Sequence, residues 1–324
     1  MNRLGKLAVL ALSPVLLGAA EQLPDIVVAE QAEPAYVILS LKQSWDNPEA
    51  RIWSWNPVMD KQLFLPCSND PERRPCNELF RAPSEVKPVL DNTHLLVTAS
   101  HGGAALIRIA DKRVIWHVYP HNNPHSAALL PDGNVVTASS NGSYIRLFNL
   151  AKYNSADPGS TPAEQYFADD AHGVVWDAKR ERLWSSGRWG ICEWQYHADP
   201  EHPALKQAGF YPMIDPEPQG RGTYLQLNGH DLVLTPDGEQ LLVTTEKAIY
   251  RFDLRSRSYS TSHALADIKS ISILAGRELM LKPTESWWSP AVLFPDDKKL
   301  SASCHLPGAK IYKARWIPRL KQSE

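Results

Sequence analysis

The sequence predicts an all-β fold, a six-bladed β-propeller with four-stranded antiparallel blades, on three observations. The first is a segment that occurs three times. His125-Ser126-Ala127-Ala128-Leu129 leads into Pro131-Asp132-Gly133 and then Val135-Val136-Thr137-Ala138-Ser139. His172-Gly173-Val174-Val175-Trp176 leads into Asp177-Ala178-Lys179-Arg180 and Leu183-Trp184-Ser185-Ser186, and His230-Asp231-Leu232-Val233-Leu234 into Pro236-Asp237-Gly238 and Leu242-Val243-Thr244-Thr245-Glu246. An apolar run, a tight turn and a second β-rich run make a hairpin. The second observation is the spacing of these hairpins, about 50 residues, which is the length of a propeller blade. The third is composition: 26 Pro, 17 Gly and 43% apolar residues in 324 suit many short strands joined by turns. Eleven Trp are large rings suited to filling the wedges between blades.

The elements follow in order as six units. The first contains Ile26-Val27-Val28-Ala29-Glu30, Tyr36-Val37-Ile38-Leu39-Ser40-Leu41 and Arg51-Ile52-Trp53-Ser54-Trp55, with no inner strand ahead of Ile26. The second contains Glu85-Val86-Lys87, Leu95 to Ser100, Ala104 to Ile109 and Val114 to Tyr119. The third begins at His125 and runs through Ser143 to Phe148, the fourth begins at His172, and the fifth runs from His230 to Ala248-Ile249-Tyr250-Arg251-Phe252. The sixth begins at Ile268-Lys269-Ser270-Ile271-Ser272-Ile273 and includes Trp287-Trp288 and Ala291-Val292-Leu293-Phe294. The C-terminal Lys310 to Trp316 either closes the ring beside Ile26 or forms the outer strand of unit six.

The first twenty residues read as a signal peptide. Arg3 and Lys6 precede the apolar stretch Leu7 to Leu17, and Gly18-Ala19-Ala20 supplies small residues for cleavage. Residues 21–324 are then one propeller domain, secreted or periplasmic, a monomer with no further membrane span. Export suits a disulfide between Cys67 and Cys76 across a polar loop, whereas Cys192 and Cys304 fall in different units. A net charge of −2 gives no electrostatic footprint for nucleic acid. Neither a G-x-S-x-G elbow nor a phosphate-binding Gly-rich loop is present, and no Cys pairs stand at zinc-ribbon spacing.

Asn123-Pro124-His125-Ser126 with Leu130-Pro131-Asp132-Gly133, Ala171 to Trp176, Trp287-Trp288 and Ile311-Tyr312-Lys313-Ala314-Arg315-Trp316 resemble a bacterial family of exported six-bladed propellers whose function is undefined. The resemblance spans nearly all of the mature chain. It implies the fold and export and assigns no catalytic residue.

Propeller geometry turns the repeat into a candidate site. The first strand of each blade lines the channel and the second returns beside it, so the start of one lies level with the end of the other. His125, His172, His230 and Lys269 open first strands, while Glu30, Gln31, His101, Arg188, Glu246 and Glu285 lie at the ends of second strands. All are expected around one mouth of the channel, under loops that include Asp215 to Gly222. The leading expectation is a non-enzymatic protein that binds an oligosaccharide or a carboxylated small molecule there. A metal-dependent polysaccharide lyase is the alternative. His125, His172 and His230 would hold Zn²⁺ or Mn²⁺ with Glu30, Gln31 or Glu246, one of His172 and His230 would be the base, and Lys269 or Arg188 the charge clamp. A protein-interaction scaffold using the outer rim is a third class, and histidines that only tie blades together are the structural one.

Overall fold

Apolar alternation bounded by turn residues becomes strand throughout the chain. The computed structural model describes residues 23–65, 67–70, 72, 74–213 and 228–318. The expected signal peptide and the loop 215–222 lie outside the described residues. The first blade contains β1 (Asp25–Glu30), β2 (Ala35–Leu39) and β3 (Arg51–Trp55). The second contains β4 (Pro83–Val89), β5 (His94–Ala99), β6 (Gly103–Arg108) and β7 (Val114–Val118). The third contains β8 (Pro124–Leu129), β9 (Val135–Ser139), β10 (Tyr144–Phe148) and β11 (Ala163–Phe167). The fourth contains β12 (Gly173–Asp177), β13 (Arg182–Ser186), β14 (Gly190–His197) and β15 (Ala204–Pro212). The fifth contains β16 (Asp231–Leu234), β17 (Gln240–Thr244), β18 (Ile249–Asp253) and β19 (Ser258–His263).

The three repeated segments form hairpins as expected, with Leu129 opposite Val135, Val175 opposite Trp184 and Val233 opposite Leu242. Gly133 and Gly238 sit at φ +89° and +71° in the two Pro-Asp-Gly turns, where a side chain would be strained.

The blade count needs correction. Among the described residues five blades have four strands, and the sixth unit is only a two-stranded sheet of β20 (Ser270–Leu274) and β21 (Arg277–Leu281). The expected third strand at Ala291–Phe294 makes only isolated bridges, Met280 to Leu293 and Ala291 to His305. Pro290 and Pro295 bracket that run and remove a ladder donor at each end. The chain then turns into the short helix α1 (Lys298–Ser303), capped by the Asp297 carboxylate on the Leu300 N–H.

The last strand, β22 (Ile311–Ile317), pairs antiparallel with β1, Ile26 opposite Trp316 and Val28 opposite Ala314. It is the inner strand that the first unit lacked, so the two ends of the described chain close the ring.

The apolar core is divided into wedges between consecutive sheets. Val27, Tyr36 and Phe80 meet Val86 and Leu95 between the first two blades, and Trp184, Phe252 and Leu241 meet between the fourth and fifth. The incomplete sixth unit still packs Leu279, Leu281, Val292 and Phe294 against Ile26 and Val37. Each such side chain, fully removed from water, stabilises the fold by about 1.5–3 kcal/mol. Trp45, Trp55, Trp116, Trp184, Trp194 and Trp316 are buried as expected, whereas Trp189 and Trp287 are exposed.

Candidate functional site at the channel mouth

One backbone device places the mouth side chains at equivalent points. A residue in the left-handed region stands two positions ahead of each: Asn123 before His125, Asp170 before His172, Asn228 before His230 and Asp267 before Lys269, with φ from 45° to 63°. Asn and Asp tolerate that conformation best among residues with a side chain. Gly173 then brings the fourth blade close to the fifth. A Cβ there would lie 2.6 Å from the Leu232 Cβ and 3.0 Å from the Leu232 nitrogen.

The three imidazoles accordingly meet. His125 and His172 stack with centroids 4.5 Å apart and planes 9° from parallel, and His172 meets His230 edge to face at 5.3 Å. Tyr312 Oη lies 3.2 Å from His125 Nδ1, and the Asp170 carbonyl lies 2.8 Å from His172 Nδ1. Lys269 Nζ lies 2.9 Å from His230 Nε2, and with Lys269 as the ammonium donor the imidazole accepts there and is neutral. His230 Nδ1 is buried with no hydrogen-bond partner among the described residues. Burial, reinforced by neighbouring positive charge, holds His125 and His230 well below the ordinary imidazole range. His172 is lowered by burial against the opposing pull of Asp170. Burial also lowers the Lys269 ammonium, opposed by Asp267 and Glu246.

Beneath the histidines the channel is filled rather than open. Arg315 donates to Asp231 at 2.6 and 2.7 Å and to Glu85 at 2.8 and 2.9 Å. Lys313 Nζ donates to Glu85 at 3.1 Å, to Asp231 at 3.2 Å and to the His125 carbonyl at 3.1 Å. Lys87 Nζ donates to Ser126 Oγ, the Ala127 carbonyl and the Val174 carbonyl at 2.8–2.9 Å. Glu85, Asp231, Lys313 and Arg315 are nearly inaccessible to water. Burial works against both carboxylates, yet the charges of Arg315, Lys313 and Lys87 hold Glu85 and Asp231 below their usual range. Burial dominates at Lys87 and takes its ammonium down to about 8. The expected funnel is thus a shallow mouth above an ionic plug that ties β4, β8, β12, β16 and β22 together.

Of the other expected site residues, Glu246 faces Lys269. Arg188 reaches the group through carboxylates, with its Nε 3.2 Å from Asp169 and its guanidinium 4.0 Å from Asp170. The Glu30 carboxylate accepts from the backbone N–H groups of Ala32, Glu33 and Lys310. Gln31 bridges blades, donating to the Pro83 carbonyl and accepting from Trp287 Nε1. Glu285 is exposed in the tight turn to Trp288. His101 faces Arg74, Arg81 and Glu78 instead of the other imidazoles.

Among the described residues no group of three or more His, Cys, Asp or Glu side chains is arranged to hold a metal ion. The geometry explains it: the face-to-face stack of His125 and His172 does not aim ring nitrogens at a common point, and Lys269 occupies His230 Nε2. The expected disulfide is also corrected. Cys67 and Cys76 are free buried thiols, and the Cys67 thiol donates to Asn69 Oδ1 at 3.3 Å.

Sequence reasoning missed Glu85, Lys87, Asp231, Tyr312, Lys313 and Arg315 as parts of the centre. Their signal was charge inside inner-strand runs, as in Glu85-Val86-Lys87 and Tyr312-Lys313-Ala314-Arg315-Trp316.

Comparison with functionally curated proteins returned no match. Among solved structures, the chain is similar to dihydro-heme d1 dehydrogenase NirN in complex with DHE, at 14% identity and a TM-score of 0.45, over 94% of this chain and 56% of that one. It is also similar to Kuenenia stuttgartiensis hydrazine synthase, at 10% identity and a TM-score of 0.42, over 66% of this chain and 63% of that one. The chain therefore spans about three fifths of each of these structures, and likeness at this level assigns neither ligand nor chemistry. No helix among the described residues is long and apolar enough to cross a membrane. A family model matches residues 19–321, and the chain belongs to that family of unknown function, DUF6528.

Proposed function

We propose that the protein binds a small hydroxylated carboxylate of the uronate type, free or at the end of an oligosaccharide, at the mouth of its channel. The reading rests on one observation above others: His230 is buried, commits Nε2 to the Lys269 amine, and leaves Nδ1 without a partner among the described residues. A buried polar atom left unpaired costs about 1–3 kcal/mol, so its retention points to a partner from outside the chain. Lys269 supplies a cation beside it for a carboxylate. Asp267 and Glu246 on the same side offer acceptors for hydroxyl groups. Beneath, three cations (buried Lys313 and Arg315 and the partly buried Lys87) face two carboxylates (Glu85, Asp231), which leaves one positive charge in excess to favour an anion above them.

Calorimetric titration of the full chain with D-glucuronate and D-galacturonate tests this. Saturable binding is expected, tighter at pH 6 than at pH 7.5, because an anion raises the pKa of the imidazoles and so takes up protons on binding. Lys269→Met is expected to weaken it about ten-fold, the loss of one charge-assisted contact. Binding that ignores both pH and Lys269→Met, or no saturable binding, would overturn the proposal.

A further inference from the structure

Of the nine exposed large apolar side chains among the described residues, three converge on one cleft: Phe167 at 77% exposure, Trp189 at 40% and Phe210 at 47%. The cleft lies between the end of β11 in the third blade and β13–β15 in the fourth, and its volume is about 260 Å³. Strand register produces it. Ser185, Cys192 and Phe210 stand opposite one another across β13, β14 and β15, so their side chains share a face. Gly190 keeps the strand ends close, because a Cβ there would lie 2.2 Å from the Tyr211 carbonyl oxygen.

Trp189 is held as a fixed platform. Its indole N–H donates to Asp169 Oδ2 at 2.8 Å, and its carbonyl accepts from the Met213 N–H at 2.8 Å. Asp169 is fixed in turn, its Oδ1 accepting from Ser143 Oγ at 3.1 Å and its Oδ2 lying 3.2 Å from Arg188 Nε. With the N–H committed, the indole offers its ring surface. Exposed aromatic clusters with polar edges mark ligand or partner sites more often than chance exposure does.

We infer that this cleft is a binding site for a single neutral pyranose ring, stacked on Trp189 and Phe210 with its hydroxyl groups at Asp169 and Gln207. Three features select that class. A cavity of about 150 Å³ takes a benzene ring, so 260 Å³ holds one substituted six-membered ring and not a chain of them. A pyranose carries C–H groups on its faces and hydroxyl groups on its edge. That matches aromatic walls with a carboxylate and an exposed amide on the rim. The Asp169 carboxylate disfavours a second carboxylate, which separates this ligand from the acidic one proposed for the channel mouth. The two sites share no lining residue, so either can fail alone.

Saturation-transfer NMR and tryptophan fluorescence on the full chain decide it. The probes are the methyl pyranosides of glucose, galactose, mannose and fucose, with p-cresol as an apolar ring of similar size. At least one pyranoside is expected to bind saturably in the millimolar range, the affinity class of a small, shallow contact. Trp189→Ala and Phe210→Ala are each expected to weaken that binding about ten-fold, the scale of one lost stacking contact. Lys269→Met is expected to leave it unchanged. Because both aromatic side chains are close to half-exposed, thermal unfolding of the two variants should stay near the parent, and a variant that unfolds early is replaced in the comparison by the other. Binding that survives both substitutions, no pyranoside binding at all, or binding of p-cresol alone would overturn the inference.

Discussion

The imidazoles of His125 and His172 lie face to face, 4.5 Å between centroids and 9° from parallel. Two charged rings do not share that spacing in a buried site, since unit charges so close repel by several kcal/mol when shielded from water. The stack therefore belongs to neutral histidines. Burial lowers both from the ordinary imidazole value, with neighbouring positive charge adding to it at His125 and Asp170 opposing it at His172.

Acid should loosen the fold for that reason. In the unfolded chain these histidines titrate near 6.5, while in the native state they stay neutral to lower pH. Below about pH 6.5 the unfolded state then binds more protons, so stability falls as pH falls through that window. Urea unfolding at pH 7.5, 6.5 and 5.5 should show a falling midpoint. His125→Phe keeps a ring on His172 and removes one titrating group, so its midpoint should fall less steeply. Equal slopes for the two proteins would show that the stack does not govern acid stability.

The ionic plug should prove a structural unit rather than a set of separate pairs. Arg315 is hydrogen-bonded to both Glu85 and Asp231, and all three are buried. Arg315→Met would leave two carboxylates against Lys313 and Lys87 with donors missing. Removing one partner from such a network costs about 3–5 kcal/mol, chiefly because charge stays buried and uncompensated. It would also weaken the hold of β22 on the ring. Denaturant unfolding measures the loss, and a change below about 1 kcal/mol, the scale of a surface ion pair, would refute the assignment.

The hairpins were legible because two-residue periodicity and Pro-Asp-Gly turns are local signals, and β8–β9 and β16–β17 form where they predict. The convergence of His125, His172, His230 and Lys269 was legible because repeats convert sequence position into radial position. Asn123, Asp170, Asn228 and Asp267 carried a further local signal, since their left-handed backbone fixes the entry to each inner strand. What could not be read was non-local. Nothing near Lys313 announces that it reaches Glu85 and Asp231, which are 228 and 82 residues away in the chain. The backbone bonds of Glu30 and Gln31 were equally hidden, because a residue level with the mouth can still turn to bond main chain, as Glu30 does. The sixth blade was overcounted because apolar content in Ala291–Phe294 outweighed the prolines on either side.

Lys87 gives the chain an opposite response on the alkaline side. Its ammonium donates to three acceptors on β8 and β12, and burial lowers it from 10.5 to about 8. Between pH 8 and 10.5 the native amine has released a proton that the unfolded chain still holds. The unfolded state binds more protons in that window, so this side chain makes stability rise with pH across it. At about 1.4 kcal/mol per pKa unit the full effect is on the order of 3 kcal/mol. Buried thiols and phenols oppose it. Burial takes Cys192 up to about 11, and with its help Tyr36 and Tyr312 are also raised, so the unfolded chain loses those protons first. The raw stability curve mixes the two trends, and the Lys87 contribution is the difference between the parent and Lys87→Met. Urea unfolding of both proteins at pH 7.5, 8.5 and 9.5 should show the parent gaining on the variant as pH rises. Parallel curves would mean that Lys87 keeps its proton throughout, held by Glu85 at 3.8 Å more firmly than burial expels it.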